Sequence, residues 1–357
     1  MTSKALPEAD LLHVLRGAQG VWEGLRGQRI LITGATGFVG RWLLESLQAA
    51  DYAFGLDIQV VALSRDPERF LRTVPHLAVW SKLIWARGSV ATLVPKTLED
   101  RKFDFVIHLA TEADMNVAQV DPQAVFGVIT EGTQRVLDVA SRSGARRFLF
   151  TSSGAVYGPQ PPNIEKIPET YEGRPDPSDR TAVYALPGEA KRHAELLCMK
   201  SAQQDGLGTV IARCFTFAGP GLPMGGKFAF GNFMKNALCG DPIVIKSDGT
   251  PVRSYLYASD LTIWLWTLLV RGEPGRVYNV GSECSVSIRE LAEAVRRLLV
   301  PDCPLRVMQN PDRSSPPERY VPETRRARDE LGLIETVSLE EAIQRTAAWA
   351  RQDIVRD

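Results

Sequence analysis

The sequence predicts an α/β fold: a doubly wound parallel sheet with helices on both faces and a smaller lobe towards the C-terminus. Three observations predict it. Short apolar runs of strand length, at residues 30–32, 59–63, 83–86, 105–110, 148–151 and 209–213, alternate with stretches of helical periodicity, as parallel βαβ units require. The first run passes directly into three glycines and then a helix pattern, I-L-I-T-G-A-T-G-F-V-G-R-W-L-L-E-S-L. Hydrophobic residues make up 44% of 357, enough for a large core.

Charge and cysteine usage narrow the function classes. The 42 basic and 42 acidic side chains cancel, so no net field attracts nucleic acid or a membrane surface. The N-terminus has no apolar run of signal-peptide type, and the longest apolar stretch, residues 261–270, is too short to span a bilayer. A cytoplasmic protein is expected. Cys198, Cys214, Cys239, Cys284 and Cys303 form no C-x-x-C pair, which predicts reduced thiols and no disulfide framework. His13, His76, His108 and His193 lack metal-ligand spacing, so no metal is expected.

In chain order, residues 1–28 read as a helical segment, with Leu11, Leu12, Val14, Leu15, Val21, Trp22 and Leu25 turned to the body. Residues 29–217 read as the sheet domain and 218–357 mainly as the lobe, with 250–282 returning to the sheet. At the glycine turn, Gly34 permits the bend, Gly37 lets backbone approach a pyrophosphate, and Gly40 allows close packing. A helix starting there offers free N–H groups to an anion. The turn therefore predicts dinucleotide binding, against the alternative of a plain strand-to-helix turn.

The second strand ends in Ser64-Arg65-Asp66. An acid at that place selects NAD through its ribose hydroxyl, whereas a nearby Arg accommodates the phosphate of NADP. Ser64 replaces the acid and Arg65 follows, which favours NADP, with NAD still possible through Asp66. The alternative is that Arg65 pairs with Asp66 or Glu68.

The G-x-x-G-x-x-G spacing inside T-G-A-T-G-F-V-G resembles the extended short-chain dehydrogenase/reductase family, specifically its NAD(P)-dependent nucleotide-sugar epimerases, dehydratases and reductases. D-F-V-I-H-L-A at 104–110, T-S-S-G-A-V-Y-G at 151–158, G-E-A-K-R at 188–192, R-C-F-T-F-A-G-P-G at 213–221 and Y-N-V-G-S at 278–282 extend the likeness over most of the chain. The resemblance implies a Rossmann-type sheet and a helix-paired homodimer. It places Gly34, Thr36, Gly37, Phe38, Val39 and Gly40 at the cofactor phosphates, with Ser64 and Arg65 at the adenosine ribose. Ser89 and Val90 fall at adenine, Leu109, Ala110 and Thr111 along the nicotinamide half, and Lys191 at the second ribose. Ser153 would hydrogen-bond the substrate oxygen, the alternative being a serine that caps a turn. His108 is expected as a packed strand residue, not a catalytic one.

The departures from the family pattern are specific. Ser89 replaces an acid at adenine. Ile129 replaces an Asn behind the site, and Ala155 stands where dehydratases and decarboxylases carry an acid. The Tyr-x-x-x-Lys pair, which puts a phenol and an ammonium on one helical face, has Pro187 four residues before Lys191. The nearest tyrosine, Tyr184, is seven before, about 10 Å away along a continuous helix. Either three residues are inserted, Pro187 starts the helix and Tyr184 enters from the preceding loop, which we favour, or Pro187 has replaced the tyrosine.

For the substrate, a nucleotide-diphospho-sugar, Thr216 stands in place of an Asn. Arg253 and Arg319 are the diphosphate candidates, since a guanidinium fork suits phosphate. The alternative for Arg253 is a pair with Asp260 or Asp248. The reading is a 4-ketosugar reductase or epimerase using NADP(H). Its rivals are a cofactor-binding protein without redox turnover and a reductase of a non-sugar ketone.

Overall fold

The computed structural model describes residues 4–92, 98, 101–111, 121–176, 185–226, 228–310 and 316–354. Two short helices, α1 (Glu8–Gly17) and α2 (Gln19–Trp22), precede β1 (Arg29–Thr33), α3 (Phe38–Phe54), β2 (Gln59–Ser64), α4 (Pro67–Leu71), β3 (Leu83–Arg87) and β4 (Phe105–His108). Then come α5 (Pro122–Ser143), β5 (Arg147–Ser153), α6 (Ala185–Asp205), β6 (Gly208–Cys214) and β7 (Phe217–Ala218). The chain continues through α7 (Ala229–Cys239), β8 (Ile243–Ile245), β9 (Val252–Ser254), β10 (Leu256–Tyr257), α8 (Ala258–Arg271) and β11 (Arg276–Val280). It ends with β12 (Ser285–Ser287), α9 (Ile288–Leu299), β13 (Leu305–Val307), β14 (Arg319–Tyr320), α10 (Arg325–Leu331) and α11 (Leu339–Ile354).

Seven strands form one sheet in the order β3-β2-β1-β4-β5-β6-β11, with every pairing parallel. The order reverses between β1 and β4, and ligands of such sheets bind at that switch, beyond the carboxyl ends of the strands. Both faces are covered, which is why the strands read as continuous apolar runs. Ile30 and Ile32 join the core shared with Trp42, Leu47, Trp264 and Trp266 of α3 and α8. Leu31, between them, joins the opposite core with Val125, Ile129 and Ala194 of α5 and α6.

The apolar stretch 261–270 is α8, buried nearly throughout against the sheet. Among the described residues no helix is long and apolar enough to cross a membrane. At the N-terminus Val14, Val21 and Leu25 are buried, but Leu12 is 43% exposed, so that residue is corrected to the solvent face. Asp10 anchors the segment, since it is buried, takes the Tyr257 hydroxyl at 2.6 Å and pairs with Arg345 at 2.9 Å.

The remaining strands build the second core. The small sheet β12-β9-β14 puts Tyr320 opposite Arg253, and β13 pairs with β8. Helices α7, α9 and α11 cover these strands. Phe228 is the extended N-cap of α7, and Gly240 closes the helix in the left-handed region. At α9, the Ser287 and Glu290 side chains form a reciprocal capping box.

Candidate active site

The glycine turn joins β1 to α3, and each glycine answers a different constraint. Gly34 has φ +69°, and a Cβ there would lie 2.7 Å from the Ala110 amide nitrogen, because β4 ends against the turn. A Cβ on Gly40 would meet the Ala35 carbonyl oxygen at 2.5 Å, inside the turn itself. Gly37 is extended and caps the helix without a side-chain bond, and its Cβ direction meets only the Gly34 oxygen at 3.4 Å. The first N–H satisfied by the helix is that of Arg41, on the Gly37 carbonyl at 2.9 Å. The amides of Phe38, Val39 and Gly40 thus precede the helical ladder. A glycine-walled helix start with three such amides fits the pyrophosphate of a dinucleotide.

At the end of β2 the Ser64 and Thr36 hydroxyls lie 3.4 Å apart, beside the exposed Arg65. The nearby carboxylates are engaged: Asp66 accepts the Arg69 N–H at the start of α4, and Glu68 pairs with Arg87. Ser89 accepts the Ala91 N–H at 3.2 Å, and Val90 is buried against Gly132 of α5. Leu109 and Ala110 follow the end of β4, held by Thr33 through its carbonyl at 3.2 Å and its hydroxyl at 3.3 Å, and Thr111 is exposed just beyond.

His108 is fully buried in β4 with Thr33 Oγ1 at 2.7 Å on Nδ1 and Thr133 Oγ1 at 3.0 Å on Nε2. Thr133 donates its own proton to the Ile129 carbonyl, so it accepts from the ring, and the bonds assign the proton to Nε2. Burial, with the Lys191 charge adding to it, pushes the imidazole down to about 3, so it is neutral near pH 7. Ile129 itself is a buried core residue, and its carbonyl closes this chain of bonds.

Ser153 ends β5, opposite Cys214 of β6. Its Oγ accepts the Ala155 N–H at 3.1 Å, so it does cap the following turn, and that bond leaves the hydroxyl proton to donate. Lys191 of α6 is 6% exposed; its Nζ donates to the Thr151 carbonyl at 2.7 Å and lies 4.7 Å from the centre of the Phe150 ring. Burial pushes its ammonium down to about 8.

Tyr184 lies outside the described residues. Among the described residues α6 runs from Ala185, and Pro187 is the third of them. Gly188 is required at the next position, because a Cβ would lie 2.7 Å from the Ala155 carbonyl oxygen. The helix start is therefore pressed onto the turn that follows Ser153. His193 is exposed, beside Phe126.

On the substrate side, Thr216 donates its hydroxyl to the Ser254 carbonyl, which leaves only the oxygen's acceptor capacity for a ligand. Arg253 pairs with Glu318 at 2.7 Å, a partner the sequence reading did not consider. Asp260, offered as its alternative partner, instead accepts the backbone N–H groups of Thr336 and Val337. Arg319 is half-buried, and its Nη1 has no hydrogen-bond partner among the described residues. Successive side chains on a strand diverge, and its neighbour Tyr320 brings its hydroxyl against Gly154, 2.6 Å from where a Cβ would stand.

Two groups escaped the sequence reading. One is Tyr320, which nothing local marks as a neighbour of the Ser153 turn. The second is a buried cluster in which Ser152 donates to Glu195 at 2.5 Å and Glu195 holds Arg213 through paired bonds of 3.0 and 2.7 Å. Burial opposes the Arg213 charge, but the bonds and charge of Glu195 outweigh it and raise the guanidinium above its ordinary value. The Arg213 guanidinium covers the Tyr157 ring, and Tyr157 donates to Asn279 at 2.8 Å. Burial pushes this phenol up to about 12, so it is a structural donor.

With this geometry in place, the chain compares with known proteins as follows. Residues 30–281, more than half of the chain, match the model of the NAD dependent epimerase/dehydratase family. UDP-glucuronic acid decarboxylase 5 of Arabidopsis thaliana is 30% identical over 319 residues, covering 88% of this chain and 87% of that protein. UDP-glucuronic acid decarboxylase 1 of Xenopus tropicalis is 28% identical over 330 residues, covering 92% and 73%. Among solved structures, a dTDP-glucose 4,6-dehydratase from Streptomyces venezuelae with NAD bound has a TM-score of 0.77 at 22% identity, covering 92% of this chain and 98% of that one. A UDP-glucuronic acid 4-epimerase from Bacillus cereus in complex with UDP-glucuronic acid and NAD gives 0.76 at 22%, covering 91% and 99%. The glycine turn, the parallel sheet around it and the match over residues 30–281 agree, and the chain belongs to the NAD dependent epimerase/dehydratase family.

Proposed function

We propose that the protein is a 4-ketosugar reductase or epimerase that acts on a nucleotide-diphospho-sugar with NADP(H). The observation that carries this reading is the seating of Lys191 beneath the end of β5, its ammonium on the Thr151 carbonyl two residues before the Ser153 hydroxyl. Gly34, Gly37 and the amides of Phe38, Val39 and Gly40 would hold the cofactor pyrophosphate. Thr36, Ser64 and Arg65 would take the 2′-phosphate, and the hydroxyl pair beside Arg65 at the end of β2 favours NADP over NAD. Ser89 and Val90 would line adenine, and Leu109, Ala110 and Thr111 the nicotinamide half. When bound, the nicotinamide supplies redox capacity at its C4.

The protein's own part is to orient the sugar and move a proton. Ser153 donates to the sugar oxygen that changes between hydroxyl and ketone. Lys191 holds the ribose and, as a cation, favours ionisation of Tyr184, which acts from the chain just before α6 as general acid or base. Arg253, with Arg319 as the second candidate, takes the diphosphate, and Thr216 offers an oxygen to the sugar. Ala155 has no acid to move the second proton that dehydration or decarboxylation needs, which sets this chain apart from its decarboxylase relatives in chemistry. Those relatives and the epimerases and dehydratases of similar fold support a nucleotide-sugar substrate. A homodimer is the assembly proposed.

The test incubates purified protein with NADPH and a panel of UDP- and dTDP-4-ketohexoses, then repeats the assay with Tyr184→Phe. Stoichiometric NADPH loss, or C4 inversion of the parent sugars without it, is expected, and both should fall by at least about 10²-fold in the variant. Carbon dioxide release from UDP-glucuronate would reject the reading. Cofactor binding with no turnover at all would establish the non-redox alternative instead. A non-sugar ketone substrate would leave Arg253→Ala fully active.

A further inference from the structure

We propose that Glu318 is a built-in counter-ion of the diphosphate site: its carboxylate holds the Arg253 guanidinium while the site is empty, and a nucleotide diphosphate displaces it. The inference rests on the reading that Arg253 receives the diphosphate.

The two sides of the Arg253 guanidinium are held differently. Nη1 donates to backbone, the Val252 carbonyl at 2.9 Å and the Glu318 carbonyl at 3.4 Å. Those acceptors are fixed by the pairing of β9 with β14, where the Val252 N–H bonds the Glu318 carbonyl at 2.7 Å. Nη2 donates to a side chain, Glu318 Oε1 at 2.7 Å. Across the register the Tyr320 ring lies below the guanidinium, 6.0 Å from its carbon. The arginine therefore has one anchored edge and one exchangeable edge.

The Glu318 side chain is 67% exposed, so the pair is screened by water and contributes little. A diphosphate offers several oxygens and more charge to the same donor, and charge-assisted bonds of that kind are stronger. Once phosphate is bound, a carboxylate beside it is repelled and turns to solvent. Glu318 is then a competitor of the ligand and lowers affinity, while in the empty site it keeps Arg253 extended across Tyr320.

The experiment titrates the full chain with UDP and with dTDP by calorimetry, at low salt and at about 0.5 M salt. Glu318→Gln should tighten binding about 2- to 5-fold at low salt, with the difference shrinking at high salt as the exposed charge is screened. Arg253→Ala should weaken binding in both. If Glu318→Gln leaves affinity unchanged or weakens it while Arg253→Ala still weakens it, the counter-ion proposal is overturned and the diphosphate reading stands. If Arg253→Ala has no effect, or the wild type binds neither nucleotide, the diphosphate reading itself fails and takes this proposal with it.

Discussion

The Lys191 ammonium donates to the Thr151 carbonyl at 2.7 Å from inside the protein, so a single charge is held beneath the end of β5 by one backbone oxygen and an aromatic face. Its cost is set by pH. Burial lowers the group from 10.5 to about 8, so between these values the unfolded chain binds a proton that the folded chain does not. Stability attributable to this lysine must therefore rise with pH across that window, by up to about 1.4 kcal/mol per unit. Urea midpoints from pH 7.5 to 10 should rise in the wild type relative to Lys191→Met. Parallel curves would refute the buried-cation assignment.

His108 gives the opposite end of the pH range. Its pKa falls from 6.5 to about 3 through burial first and the Lys191 charge second. The unfolded chain then binds the extra proton between those values, so this residue's contribution is lost as pH drops below about 6.5. His108→Gln keeps hydrogen-bonding capacity for Thr33 and Thr133 without titrating there. Between pH 7 and 4 its stability should decline less steeply than the wild type's; an identical decline would mean that the imidazole is charged in the folded state.

The glycines of the turn should separate by readout. Gly40→Ala pushes a Cβ to 2.5 Å from a backbone oxygen, and no side chain can move to relieve it. A stability loss of about 1–3 kcal/mol is expected, seen as a lowered denaturation midpoint. Gly37→Ala is allowed by its extended backbone and has no close neighbour. It should leave stability within about 0.5 kcal/mol and instead weaken NADPH binding at least tenfold, measured by nicotinamide fluorescence. Equal effects on both readouts would reject the division of roles.

The Glu195–Arg213 pair, at 2.7 Å and mostly buried, should be costly to break and cheap to replace. Glu195→Gln leaves the Arg213 charge unbalanced and should cost about 3–5 kcal/mol. The double change to methionine removes both charges and should recover much of that loss. Additive losses in the two single variants and the double variant would show that the charges do not interact.

The sequence by itself determined the doubly wound sheet and its glycine turn, because those signals are local. A strand covered on both faces must be apolar along its length, and a turn that brings β1 against β4 must lack a Cβ at Gly34. The flanks of Lys191 were legible for the same reason, as one helix face. What only the tertiary structure decided are the partners between distant segments. Glu318 meets Arg253 because β14 pairs with β9, Tyr320 reaches Gly154 across the Phe215 ring, and Ser152, Glu195 and Arg213 converge from three elements. No spacing encodes these meetings, since each depends on strand register and helix docking, and many other pairings of the same residue types satisfy the sequence equally well.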